Sequence, residues 1–221
     1  MTNQLTVHHL AHSQSERIVW LCEELGLDYT LVRYDRRSDN KMAPPAYKAL
    51  HPMGTAPVIT DGPLVLGESG AIVEYLIATY GDGRLALRPG QPGYADYLYW
   101  FHFANGTLQP IVLRTRSLEV ADPSGQTAVL QSTRARLALT FSHLDQRLGE
   151  VPYLAGAELT AADIMTVFTL TTMRLFRAHD LSPWPNIGTY VERIAARPAY
   201  QRALRDDHAA APGSNTSSLR S

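Results

Sequence analysis

The chain has 221 residues, 45% of them hydrophobic and 19% charged, with 20 Lys and Arg set against 21 Asp and Glu for a formal net charge of −1. That balance lacks the basic excess of a nucleic-acid binder. The one cysteine, Cys22, excludes an internal disulfide and a cysteine-rich metal site. No apolar run reaches the roughly 18 residues that span a bilayer. The opening MTNQLTVHHL has neither the basic nor the apolar region of a secretory signal, so a reducing, cytoplasmic setting is expected, with no membrane or nucleic-acid partner.

Residues 5–10 (LTVHHL) are rich in strand formers and predict a first strand. Ile18, Leu21, Cys22 and Leu25 then recur at helical spacing, and Gly26 supplies the stop, which predicts a helix over 15–25. YTLVRY (29–34) alternates and predicts a second strand. Residues 36–50 are polar, contain Pro44-Pro45 and predict a loop with one helical turn. Residues 56–60 and 64–66 are short apolar runs joined by Asp61-Gly62-Pro63, an antiparallel hairpin by composition, and Glu68-Ser69-Gly70 leads into a helix ending at Tyr80. The Gly- and Pro-rich run 81–93 predicts a linker.

Everything beyond it carries helical spacing. Residues 94–120 predict one long helix kinked between Gly106 and Pro110, and 127–148 a second. Residues 160–176 predict a helix buried all round, with Thr160 and Asp163 as a capping-box-like folding pair. Residues 185–196 and 198–205 close the pattern, and 209–221 (AAAPGSNTSSLRS) predict a flexible tail.

The order β-α-β-α-β-β-α followed by an all-helical half resembles the soluble glutathione transferase family over roughly residues 5–205, and a serine-type bacterial or fungal member in particular. The motifs that carry the resemblance are GTAPVITDGPLVLGESGAIVEYL (54–76), LAGAELTAADIMTVFTL (154–170) and RPAYQRAL (197–204). It implies an α/β plus all-α fold: a thioredoxin-like domain over 1–82 that binds glutathione, a linker over 83–93, a helical bundle over 94–208 and the tail. It also implies an enzyme that conjugates glutathione, its co-substrate, to small hydrophobic electrophiles in a cytoplasmic detoxification role. Peroxidase activity is a second capacity of such members, no metal is needed, and the expected state is a homodimer. A non-catalytic glutathione-binding regulator or scaffold of the same fold is the alternative.

Site residues follow from the same resemblance. Ala56-Pro57 would be a cis bond that turns the Ala56 backbone toward the cysteinyl unit of glutathione; a trans proline opening a strand is the alternative. Glu68 would hold the γ-glutamyl ammonium, and Ser69 with the helix N–H groups its carboxylate, although both residues also suit a plain helix start. Ser13 falls where the family places the group beside the sulfur. A serine is too weak an acid to deprotonate a thiol of pKa about 8.5, so its role would be to donate a hydrogen bond to the thiolate. Ser15 competes for that role but occupies the expected N-cap. Cys22 lies on the apolar stripe and is expected in the core. Lys41, His51 and Thr55 are the candidates for the glycyl carboxylate, Thr55 standing where many relatives have a basic residue. The electrophile pocket, expected between the domains, draws its candidates from His12, Phe103, Asn105, Leu108 and Arg116.

Overall fold

A computed structural model describes residues 5–175, 179–208 and 217–218. Strand β1 (Leu5–Leu10), helix α1 (Ser15–Leu25) and strand β2 (Thr30–Tyr34) form a parallel crossover, with Thr6 to Leu10 in register with Thr30 to Tyr34. The short helix α2 (Pro45–Lys48) precedes a hairpin of β3 (Val58–Asp61) and β4 (Leu64–Gly67). β3 runs antiparallel to β1, from His8 opposite Val58 to Leu5 opposite Asp61. Helix α3 (Ser69–Thr79) follows. The N-terminal fold is thioredoxin-like, as expected.

Strand alternation divides β1 between two faces. Leu10 joins Ala43, Tyr47 and Val58 in a core cluster on one side, with Tyr34, Leu50 and Ala56 packed against it. His9 points to the other side, where α1 lies. Helix α1 ends at Gly26, whose φ of +64° is a left-handed cap that bonds back to Cys22 and Glu23.

The sheet order is β4-β3-β1-β2-β5. The last strand, β5 (Ser217–Ser218), pairs antiparallel with Thr30 and Leu31. It falls inside the segment expected to be a flexible tail, whose other residues lie outside those described. Pairing there needs no core-forming side chain: the exposed edge of β2 offers backbone groups that template a strand of almost any composition.

The helical half comprises α4 (Tyr94–Phe103), α5 (Gln109–Ala121), α6 (Ala128–Glu150), α7 (Ala161–Leu170) and α8 (Pro185–Ala195). The kink expected near Gly106–Pro110 is a π-helical turn over Ala104–Leu108. Pro110 cannot donate, and its ring would meet the carbonyl four residues back; the wider turn relieves that clash. Helix α7 stops at Leu170 rather than continuing to 176. Thr171 Oγ1 donates back to Val167 O at 2.9 Å, and a 3₁₀ turn (Thr172–Leu175) follows. Position 176 lies outside the described residues. Every residue of α7 is buried, as its sequence predicts.

Asp163 anchors the start of α7. Its carboxylate accepts from Leu154 N at 2.9 Å, Thr160 N at 2.8 Å, Thr160 Oγ1 at 3.2 Å and Tyr190 OH at 3.0 Å.

The chain divides into two compact units. One holds the chain up to Arg84 and from Ala195 on; the other is Leu85–Ile194. The break therefore falls at the start of the Gly/Pro-rich run. Much of that run belongs to the helical unit: Leu85 O accepts from Ala161 N at 2.7 Å, and a Cβ on Gly93 (φ +79°) would lie 2.6 Å from Ala155 O. Helix α9 (Pro198–His208), expected with the helical bundle, belongs to the first unit. Its Tyr200 meets Trp20 edge-on at 4.8 Å and donates to Glu16, while Arg197 grips Glu24 through two bonds of 2.7 and 2.9 Å. No helix among the described residues is long and apolar enough to cross a membrane.

Candidate functional site

The topology of the first unit gathers particular residues at one end of its sheet. β1 and β2 run parallel, so both end there, at Leu10 and Tyr34. β3 runs against β1 and begins there at Val58, and β4 ends there at Gly67. The segments leaving and entering at that end are the Ser13 turn, the loop with Arg36 and Lys41, Ala56-Pro57, and Glu68-Ser69. These stretches, far apart in sequence, share one rim because of strand direction alone.

The Ser13 turn is held tightly. Ser13 is 5% exposed and Ser15 fully buried. The two hydroxyls lie 2.8 Å apart, and Ser15 N donates to Ser13 Oγ at 3.2 Å. Ser15 Oγ is 2.9 Å from His9 Nδ1, accepts from Leu10 N at 3.1 Å and lies 3.3 Å from Leu10 O. Ser15 is therefore not the helix cap its position suggested. Gln14 occupies the cap position, already in helical conformation, and makes no side-chain cap bond. The Ser15 hydroxyl instead ties the start of α1 back to the end of β1.

His12 precedes this network with φ +51°, a left-handed conformation that non-glycine residues adopt at a cost. Arg36 fixes it from outside. Its guanidinium donates to Ala11 O at 2.7 Å, His12 O at 3.0 Å and Lys41 O at 3.0 Å. Lys41 itself is exposed, with φ +59°.

Arg17 joins the Ser13 turn to the start of α3. It is 1% exposed, and its Nη1 donates to Gln14 Oε1 and, at 3.1 Å, to Ser69 Oγ. Burial pushes the guanidinium down to about 9, with Glu16 opposing the shift, so the group is charged at neutral pH. A buried cation thus stands against Ser69 at a helix N-terminus whose free N–H groups already carry partial positive charge. Glu68, exposed, turns into α3 with φ +66°. Such a backbone costs about 1–3 kcal/mol and accumulates where function requires it.

Ala56-Pro57 is cis. Both strand ladders of β3 begin only at Val58, which leaves the Ala56 backbone beyond the registered pairs. Thr55 is exposed, and the His51 ring lies against Gly67, 3.3 Å from where a Cβ would stand. Behind the rim, His8 meets Tyr34 OH at 3.1 Å through Nδ1 and Thr60 Oγ1 at 3.3 Å through Nε2; burial holds its pKa below the ordinary imidazole value. Cys22 is fully buried, and burial followed by Glu23 drives its thiol far up, so it is no nucleophile.

The electrophile candidates of the helical unit are scattered. Phe103, 6% exposed, lines a shallow depression of about 450 Å³ with Leu98, Tyr99, His102, Gly106 and Thr107. Asn105 is exposed. Arg116 lies 3.9 Å from Glu119 and lines a different cavity of about 240 Å³ with Phe141 and Trp184. Leu108 is fully buried.

Residues 13–79 match the family model for the glutathione S-transferase N-terminal domain, and 107–198 the one for the C-terminal domain. Glutathione S-transferase 3 of Schizosaccharomyces pombe is 30% identical over 213 residues, covering 88% of this chain and 84% of the relative. The chain belongs to the glutathione S-transferase family. A crystal structure of a glutathione S-transferase from Actinobacillus pleuropneumoniae superposes with a TM-score of 0.80 at 34% identity, covering 92% of this chain and 93% of that one. The disulfide-bond oxidoreductase YfcG of Escherichia coli is 29% identical over 198 residues, covering 85% of this chain and 88% of the relative.

In this glutathione S-transferase family member, sequence reasoning missed four contributors at the rim: Arg17, Arg36, Gln14 and His9. His9 had a signal, since the two-residue period of β1 sends its ring toward α1. For the Arg36 clamp, 24 residues from His12, the sequence held no local signal.

Proposed function

We propose that this chain is a glutathione transferase that conjugates glutathione to small hydrophobic electrophiles and works as a homodimer. The observation that carries the reading is the shared sheet end, where the buried Arg17 links the Ser13 turn to Ser69. Glutathione is an extended tripeptide with a carboxylate at each end and a thiol between. The γ-glutamyl carboxylate takes the N–H groups and hydroxyl at Ser69, with Arg17 beneath, and Glu68 takes the ammonium. The cysteinyl backbone pairs with Ala56 beside the cis Pro57. The glycyl carboxylate reaches Lys41 or Thr55.

The thiol then lies at Ser13. Its hydroxyl donates a hydrogen bond to the thiolate, which lowers the thiol pKa and leaves the proton to water. The sulfur lone pair attacks the electrophilic carbon, forming a C–S bond, and the leaving group departs with its electron pair.

A second reading draws on the Escherichia coli relative named as a disulfide-bond oxidoreductase. In it the same thiolate attacks a disulfide, displaces one thiolate and forms a mixed disulfide; a second glutathione thiolate resolves it to oxidised glutathione. Cys22 takes no part, because it is buried and its thiol is held protonated. Calorimetry with glutathione, followed by assays on aryl halides, epoxides, hydroperoxides and a small disulfide, separates the readings. Turnover of aryl halides or epoxides supports the transferase; disulfide turnover alone supports the reductase. Binding without turnover makes the chain a glutathione-binding regulator, and absence of binding removes all three. Light scattering at micromolar concentration tests the dimer: a monomeric mass overturns it.

A further inference from the structure

We infer that His9 is a positioning residue for Ser13: an N–H at its Nδ1 sets the direction of the Ser13 hydroxyl through Ser15. This inference rests on the reading of Ser13 as donor to the glutathione sulfur.

The argument is a count of hydrogens. A serine hydroxyl has one hydrogen and two acceptor sites. At Ser15, one acceptor site takes the Leu10 N–H at 3.1 Å. The remaining neighbours are Ser13 Oγ at 2.8 Å, His9 Nδ1 at 2.9 Å and Leu10 O at 3.3 Å.

If Nδ1 is bare, Ser15 must spend its hydrogen there, since two acceptors would otherwise face each other across 2.9 Å. Ser13 then fills the second acceptor site of Ser15. Its own hydrogen points inward, and it turns lone pairs toward the rim, where they repel a thiolate.

If Nδ1 carries a hydrogen, it fills that second site instead. Ser15 donates to the shorter of its two remaining neighbours, Ser13 Oγ, at an ordinary O–H···O distance. Ser13 now accepts from both Ser15 Oγ and Ser15 N. Its acceptor sites are full, and its own hydrogen points away from the network. Only this second arrangement makes Ser13 a donor toward a ligand. His9 and Ser15, 3% and 0% exposed, are shielded from water that could rearrange the chain of bonds.

The test uses the full chain with glutathione bound. In ¹⁵N-histidine spectra, the resonance absent from His9→Asn should show a hydrogen-bearing Nδ1; a bare Nδ1 overturns the inference, and this reading needs no destabilised variant. The pKa of the bound thiol, followed by thiolate absorbance, gives the second arm. His9→Leu should raise it by about one unit, roughly a tenfold loss of thiolate at low pH. His9→Asn, which keeps an N–H near the Nδ1 position, should restore most of that loss. In a Ser13→Ala background, His9→Leu should add nothing; additive shifts overturn the relay. If Ser13→Ala itself leaves the thiol pKa unchanged, the Ser13 reading fails. If Ser13→Ala shifts it and His9→Leu does not, the relay alone fails.

Discussion

Ser13→Ala tests the proposed chemistry at the smallest scale. A hydrogen bond to the thiolate favours the charged form, so its removal raises the bound thiol pKa toward the free value of about 8.5. The rate deficit should be about ten- to a hundredfold near pH 6.5 and shrink as alkali ionises the thiol unaided, with glutathione affinity little changed. Rates measured from pH 6 to 9 decide it, and a pH-independent deficit counts against thiolate stabilisation. Ser15→Ala differs from the loss of a simple cap. It strips the Leu10 N–H and His9 of a buried partner, which should cost about 1–3 kcal/mol in urea unfolding and also move the thiol pKa. Sequence put Ser13 in the reactive position and Ser15 at the helix cap; that Ser15 instead ties to β1 could not be read, because those contacts with Leu10 and His9 are encoded by no local spacing. His8 gives a pH prediction. Burial lowers its folded pKa, so its contribution is present above the unfolded value of about 6.5 and is lost as pH falls through the depressed folded value. Urea midpoints should therefore fall between pH 7.5 and 5.5 more steeply in wild type than in His8→Gln, whose neutral amide can still meet Tyr34 and Thr60. Equal slopes would assign the acid sensitivity elsewhere.

Among the elements, helix starts carry most of the polar chemistry, and they do so in two ways. At α7, Asp163 gathers four donors in the core, and Asp163→Ala leaves the Leu154 and Thr160 N–H groups buried without partners. That should cost about 3–5 kcal/mol in chemical unfolding and leave the thiol pKa untouched. A loss under about 1 kcal/mol would mean that the network relaxes around the gap. At α3, Ser69→Ala and Glu68→Ala should weaken glutathione roughly tenfold or more by calorimetry, since charge-assisted bonds are lost, while barely moving the thiol pKa. Unchanged affinity in both would place the γ-glutamyl end elsewhere. Both helix starts were legible, since Thr160-Ala-Ala-Asp163 and Glu68-Ser69 are short-range patterns. The Arg17 link to Ser69 was not, because it spans 52 residues and depends on where α1 and α3 meet. The break of the long helix at Ala104–Leu108 was legible as a kink through Pro110, but its π-helical form was not, for a proline states only that the ordinary turn fails there.

At the scale of the whole chain, the first unit is discontinuous in sequence: it opens the protein and is completed by α9 after the helical unit has been threaded. The Gly/Pro-rich run marked where the first unit pauses, but nothing in 197–205 announced that the chain returns, since an amphipathic helix does not name the surface its apolar face meets. Charge would have been the better guide. Arg197 and Arg202 meet Glu24 and Glu23 on α1, and Tyr200 covers Trp20, which is 1% exposed. The pairing predicts that α9 belongs to the stability of the first unit rather than of the helical bundle. Tyr200→Ala removes a buried ring and the bond to Glu16, and should cost about 3–5 kcal/mol. A chain ending at Ala195 should lose hydrogen-exchange protection across α1, β1 and β3, because Trp20, Glu16 and Glu24 are left uncovered, while amides of α6 and α7 keep theirs through their own core. Uniform loss across both units would mean that they unfold together. Unchanged protection in α1 would show that α9 contributes nothing to the first unit, and the contacts between Tyr200, Arg197 and α1 would then carry no stability.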